Sequence, residues 1–146
     1  MKKQQLPVYM IGDLVMLLST GEVGLVREVS ENFGVFARFG DIPEDDPFYI
    51  SPDKIALLCR RESESGRILR WEETGFPKHD AMTAAVYIDR RYRNEDWYVG
   101  MGIGADSETG EQCFYVYTKR KISLQIEEAQ FGYPVKVKPL QGVRPL

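Results

Sequence analysis

The stretch Val23-Gly-Leu-Val-Arg-Glu-Val-Ser-Glu-Asn-Phe-Gly-Val-Phe-Ala-Arg-Phe-Gly40 decides the fold. Two runs rich in β-branched and aromatic residues flank the turn formers Ser30, Glu31, Asn32, Phe33 and Gly34. The pattern predicts an antiparallel strand pair. Side chains alternate across a strand, so Val23, Leu25 and Val29 share one face, and Gly24, Val26 and Glu28 the other. Val35, Ala37 and Phe39 line one face of the second strand. Val26 and Val35 lie mid-strand and are predicted to be buried. Gly24 predicts a bulge or sharp bend, which a small barrel needs in order to close.

Short strands continue on both sides. Residues 1–10 read as a loose arm that becomes a first strand near Val8-Tyr-Met10. Leu14-Val-Met-Leu-Leu18 is an apolar run short enough for a buried strand. Ser19-Thr-Gly-Glu22 is a turn, with Gly21 free to take a positive φ. After the second strand, Gly40-Asp-Ile-Pro-Glu-Asp-Asp-Pro47 is a loop, because two prolines and four acids do not suit a central strand. Phe48-Tyr-Ile50 resumes the sheet. Ser51-Pro-Asp53 predicts one helical turn, capped by Ser51, and Ile55-Ala-Leu-Leu58 is the last strand. Five or six short strands in fewer than 60 residues predict a small barrel.

Gly12-Asp-Leu-Val15, Gly21-Glu-Val-Gly-Leu-Val-Arg-Glu-Val29, Gly34-Val-Phe-Ala-Arg-Phe39 and Ile50-Ser-Pro-Asp-Lys-Ile-Ala-Leu57 together resemble the SH3-like barrels of the KOW and CarD-type Tudor-like group. The resemblance covers residues 11–58. It implies a binding module that works on ribosomes, nucleic acid or RNA polymerase. Many KOW domains are basic around the barrel. Here residues 1–60 carry six Lys and Arg against nine Asp and Glu, which disfavours nucleic acid as the partner of this half.

Arg60 to Gly66 is polar and reads as a linker or an exposed turn. Ile68-Leu-Arg-Trp71 follows, and Trp71 is expected to pack against the second half and hold the two parts in one orientation. Asp80 is a helix N-cap, and Ala81, Ala84, Ala85, Ile88 and Tyr92 recur at helical spacing, predicting a helix over residues 81–93. Trp97 to Gly104 and Cys113 to Tyr117 form a hairpin. Ile122 to Gln130 is expected to be a short helix capped by Ser123. Tyr133-Pro-Val-Lys-Val-Lys138 alternates, with Val135 and Val137 inward and Lys136 and Lys138 outward. The fold class is therefore mainly β with α+β. An SH3-like small barrel (1–61) precedes a small α+β domain (67–146) ordered helix–strand–strand–helix–strand.

The second half, through Val99-Gly-Met-Gly-Ile-Gly104, Gly110-Glu-Gln-Cys-Phe-Tyr-Val-Tyr-Thr-Lys119, Tyr133-Pro-Val-Lys-Val137 and Gly142-Val-Arg-Pro-Leu146, resembles a module found with trypsin-like protease-fold proteins. The protease domain itself is absent, so the resemblance implies a fold and no activity.

The chain has 146 residues, 43% hydrophobic and 28% charged, with net charge −3. That composition predicts a soluble globular protein. No apolar run approaches the roughly 20 residues of a membrane span, and the basic start lacks an apolar segment behind it. A cytoplasmic location is expected. Cys59 and Cys113 read as two free thiols in or near the core.

Candidate chemistry is sparse. The glycines at 100, 102 and 104 lead into a turn and a strand rather than a helix, so they lack the dinucleotide fingerprint. They read instead as close packing of a helix on a glycine-lined strand. Asp41, Glu44, Asp45 and Asp46 lack calcium-loop spacing and read as a solvated acidic loop that meets a basic partner. His79, the single histidine, reads as a surface residue. No catalytic, metal or cofactor set emerges, so the expectation is a non-enzyme with no cofactor. The expected function is non-enzymatic protein binding, regulatory in transcription or translation. The alternatives are a nucleic-acid-binding regulator and a small hydrolase or its inactive remnant. The candidate partner-binding residues are Phe33, Phe36, Phe48 and Tyr49, as an aromatic surface, with the acids 41, 44, 45 and 46.

Overall fold

The computed structural model describes residues 8–30, 34–39, 49–123 and 125–140. It is mainly β, with two sheets and few helices. The chain divides into two compact units, Met1–Lys78 and His79–Leu146.

The first unit contains β1 (Leu14–Leu17), β2 (Val23–Ser30), β3 (Gly34–Phe39), β4 (Tyr49–Ile50) and β5 (Ile55–Cys59). A single 3-10 turn, Pro52–Lys54, leads into β5, and a four-residue helix, α1 (Trp71–Thr74), follows it. The five strands form one sheet in the order β4-β3-β2-β1-β5, every neighbouring pair antiparallel. Val26 and Val35 are buried as predicted, at 0% and 2% exposure. Val35, Ala37 and Phe39 face the core together, with Val15, Ile50, Ile55, Leu57 and Trp71. Gly21 closes the β1–β2 turn at φ 82.

The structure corrects several expectations here. No strand forms at Val8–Met10, because the Asp13 carboxylate accepts from the Met10 amide (2.8 Å) and closes a turn. The bulge in β2 falls between Val26 and Glu28, not at Gly24. It breaks the alternation, so Glu28 leaves the face that Gly24 and Val26 share. Gly24 serves close packing instead. A Cβ there would stand 2.6 Å from the Arg38 carbonyl oxygen and 2.7 Å from Phe39 Cδ1. Gly24→Ala is therefore expected to lower stability by about 1–3 kcal/mol through overpacking, read from the urea midpoint. An unchanged midpoint would mean that β2 and β3 part without cost. Ser51 does not cap the 3-10 turn; its hydroxyl bonds the Asp53 carboxylate.

Arg60 to Gly66 is an exposed turn, the second of its two readings, and not a linker. It folds back on itself, with Glu62 N donating to Arg67 O (2.7 Å), Leu69 N to Arg60 O (2.8 Å) and a bridge between Arg61 and Ile68. The backbone bonds of this turn return the chain to the first unit, where Trp71 enters the core. Trp71 thus belongs to the core of β1–β5, and the second unit starts at His79, not at residue 67.

The second unit holds α2 (Ala81–Tyr92), β6 (Tyr98–Ala105), β7 (Gln112–Thr118), β8 (Ala129–Gln130) and β9 (Tyr133–Pro139). Asp80 caps α2 as predicted, its carboxylate accepting from Thr83 N at 2.7 Å. Ala84, Ile88 and Tyr92 form its buried face. The sheet order is β6-β7-β9-β8, with β7 and β9 parallel and the other pairs antiparallel. No helix forms among the described residues of 122–130, where one was expected. Ile122, Leu124 and Ile126 repeat every second residue, a spacing that suits extended chain. The segment ends in β8, and Arg91 holds Glu127 (3.1 Å) and Gln130 (3.0 Å). Val135 is buried as expected, but Val137, near the end of β9, is 37% exposed. Both cysteines are buried and neither is in a disulfide.

Candidate functional site

Of the eight candidate residues, Phe33, Asp41, Glu44, Asp45, Asp46 and Phe48 lie outside the described residues. Phe36 and Tyr49 are brought together. Val35 and Ala37 point to the core, so Phe36 between them points away from it. Backbone register sets Glu28 opposite Phe36, and Phe36 opposite Tyr49, making one row across β2, β3 and β4. The two rings lie 6.0 Å apart at 57°, a tilted pair of the kind that stabilises sheet faces. The Tyr49 hydroxyl hydrogen-bonds the Glu28 carboxylate, which raises its pKa. The bulge after Val26 makes the row possible, because it rotates Glu28 to the side of Phe36. Both rings are half-buried and outside the core cluster. The sequence named Phe36 among the candidate aromatics and left open which of them face outward. It missed Glu28, because a bulge has no reliable mark in sequence.

His79 is not a plain surface residue. It is half-buried against Tyr87 (centroids 5.5 Å) and Phe131 (5.7 Å), both edge-on. Its carbonyl accepts from the Tyr133 hydroxyl at 2.6 Å. Phe131 itself is buried at φ 56 and precedes Gly132 at φ 86. Positive φ at both residues is the geometry of a tight hairpin turn between β8 and β9. Burial lowers the His79 pKa, partly offset by nearby Asp80.

The folded state thus binds the His79 proton less readily than the unfolded chain. Its stabilising contribution is full above the unfolded value of about 6.5 and is lost as pH falls through the lowered folded value. The urea midpoint of the native chain is expected to drop more between about pH 7.5 and about pH 5 than that of His79→Phe, which keeps an aromatic ring and cannot titrate. Equal drops in both proteins would show that His79 contributes nothing to the pH response.

The glycines of β6 do not receive a helix. A Cβ on Gly102 would meet the Tyr117 ring at 3.3 Å, one on Gly104 the Tyr115 ring at 2.7 Å, and one on Gly100 nothing within 4 Å. Aromatic rings from β7 therefore cover two of the three glycines. The tyrosines of β7 and the lysines of β9 share this face, a grouping that sequence alternation alone could have found. Among the described residues no group of three or more His, Cys, Asp or Glu side chains is arranged to hold a metal ion. No helix among them is long and apolar enough to cross a membrane.

Comparison with protein-family models, curated proteins and solved structures finds no match to this chain.

Proposed function

We propose that the chain is a non-enzymatic binding module whose first unit is an SH3-like barrel that engages a protein partner. The observation that carries this reading is the outward row Glu28–Phe36–Tyr49. Tyr and other aromatic side chains supply much of the energy of protein interfaces, and a flanking carboxylate selects the partner's charge. A partner segment with an apolar side chain next to a Lys or Arg fits it. The acidic balance of residues 1–60 favours such a segment over a phosphate backbone. Five antiparallel strands, with the last entered through a 3-10 turn, support the SH3-like reading. The resemblance to KOW and CarD-type barrels makes the partner a component of the transcription or translation machinery, with a regulatory role and a cytoplasmic location.

The test is capture of partners by the tagged full chain from its native host, read by mass spectrometry beside a Phe36→Ala/Tyr49→Ala variant. The expected result is a partner retained through a salt wash and lost from the variant. The proposal fails if both proteins capture the same set, or if capture vanishes with nuclease treatment.

A further inference from the structure

We propose that the outer face of the second sheet binds single-stranded nucleic acid, with Tyr115 and Tyr117 as stacking platforms and Lys119 and Lys138 as phosphate contacts. Phe114, Val116 and Thr118 of β7 are fully buried. Tyr115, Tyr117 and, just past the strand, Lys119 therefore follow one another on the opposite face. β9 runs parallel alongside, placing Lys136 next to Tyr115 and Lys138 next to Tyr117. A row of rings thus borders a row of ammonium groups.

The rings lie low on the sheet. Tyr117 Cε2 sits 3.3 Å from where a Gly102 Cβ would be, and Tyr115 Cε2 sits 2.7 Å from the Gly104 position. Glycine backbone supports each ring from below. Rings two residues apart on a strand are about 6.6–6.8 Å apart. That is about twice the 3.4 Å spacing of bases along one strand of a duplex. A single strand opened between them can set one base on each ring, whereas a duplex keeps its bases stacked on each other.

Charge orients the ligand. Lys138 Nζ stands over the Tyr115 ring, 4.3 Å from its centroid, so a base stacks on Tyr115 as that ammonium moves off the ring to a phosphate. Lys119 and Lys121 are exposed at the same end, where Leu140 N donates to Thr118 O and the two strands finish together. The acids Asp106, Glu108 and Glu111 lie at the other end, in the β6–β7 turn, and Asp106 engages Lys136 at 3.2 Å. A polyanion is drawn to the lysine end and repelled from the turn. An acidic peptide would answer the lysines but offer no flat partner to the tyrosines. A single strand uses both. The site lies on the second unit and stands or falls separately from the protein-binding row of the first.

The test is fluorescence anisotropy of the full chain with labelled oligo(U) and oligo(dT) over a salt series, with duplex DNA and polyglutamate as competitors. Single strands of either sugar are expected to bind, with duplex and polyglutamate competing poorly. Tyr117→Leu is expected to weaken binding roughly 5- to 150-fold, the weight of one stacked base. Tyr117→Phe keeps the ring over Gly102 and is expected to bind like the native chain. Lys119→Gln and Lys138→Gln are each expected to reduce the salt slope by about 0.7. No anisotropy change at low salt, equal competition by polyglutamate, or native affinity in a folded Tyr117→Leu would each overturn the proposal.

Discussion

Replacing Arg60 by Met is expected to destabilise the first unit by about 3–5 kcal/mol, the cost of leaving a buried charge without its partner. Asp13 is 1% exposed, and the Arg60 side chain beside it 13%. The guanidinium bonds both carboxylate oxygens, Nε at 2.7 Å and Nη2 at 2.9 Å, and also reaches the Val8 carbonyl at 3.0 Å. The fork is bidentate and holds residues 8–13 against the end of β5. Without Arg60 the carboxylate keeps the Met10 amide, which does not offset its desolvation. The double variant Asp13→Leu/Arg60→Met removes both charges and is expected to recover much of the loss. Urea unfolding followed by the fluorescence of Trp71, in the same unit, measures both. A single variant that costs less than the double would show that the pair's charges do not depend on each other.

Trp71→Ala is expected to cost about 3–5 kcal/mol through lost burial and a residual cavity. Trp71 is buried among Val15, Val26, Val35, Phe39 and Leu57, and α1 is too short to hold it there without that packing. Its indole Nε1 finds no acceptor among the described residues, so the side chain contributes through its apolar area and not through its N–H. Trp71→Phe, which removes the unpaired donor, is accordingly expected to cost much less than Trp71→Ala. Circular dichroism during urea unfolding reads both variants, and Trp97 reports the second unit separately. Equal losses for Phe and Ala would show that the indole N–H matters after all.

Elements whose pattern is local were legible from the sequence. Asp80 followed by apolar residues at helical spacing marks α2 because cap and periodicity both lie within one segment. The β2–β3 pair and the β6–β7 hairpin join residues close in sequence, and the alternation of Val35, Ala37 and Phe39 directly gives the inward face. Two of the three residues of the candidate row, Phe36 and Tyr49, were named from the sequence.

Composition, alternation and capping thus determined a mainly β protein with one long helix, the β2–β3 and β6–β7 pairs and the burial of Val26 and Val35. Tertiary structure alone decided where the chain divides, because Trp71 takes its place from a core assembled by strands far from it in sequence. It decided that Arg60, in a polar run, closes on Asp13 47 residues away. It put a short strand, Ala129–Gln130, at the end of a segment expected to be helical, through the partners that Arg91 and β9 supply. It also set tyrosines, not a helix, over the glycines of β6. Each of these outcomes depends on which distant side chain fills a given space. Hydrophobic period and propensity describe only the neighbours along the chain and carry no information on that choice.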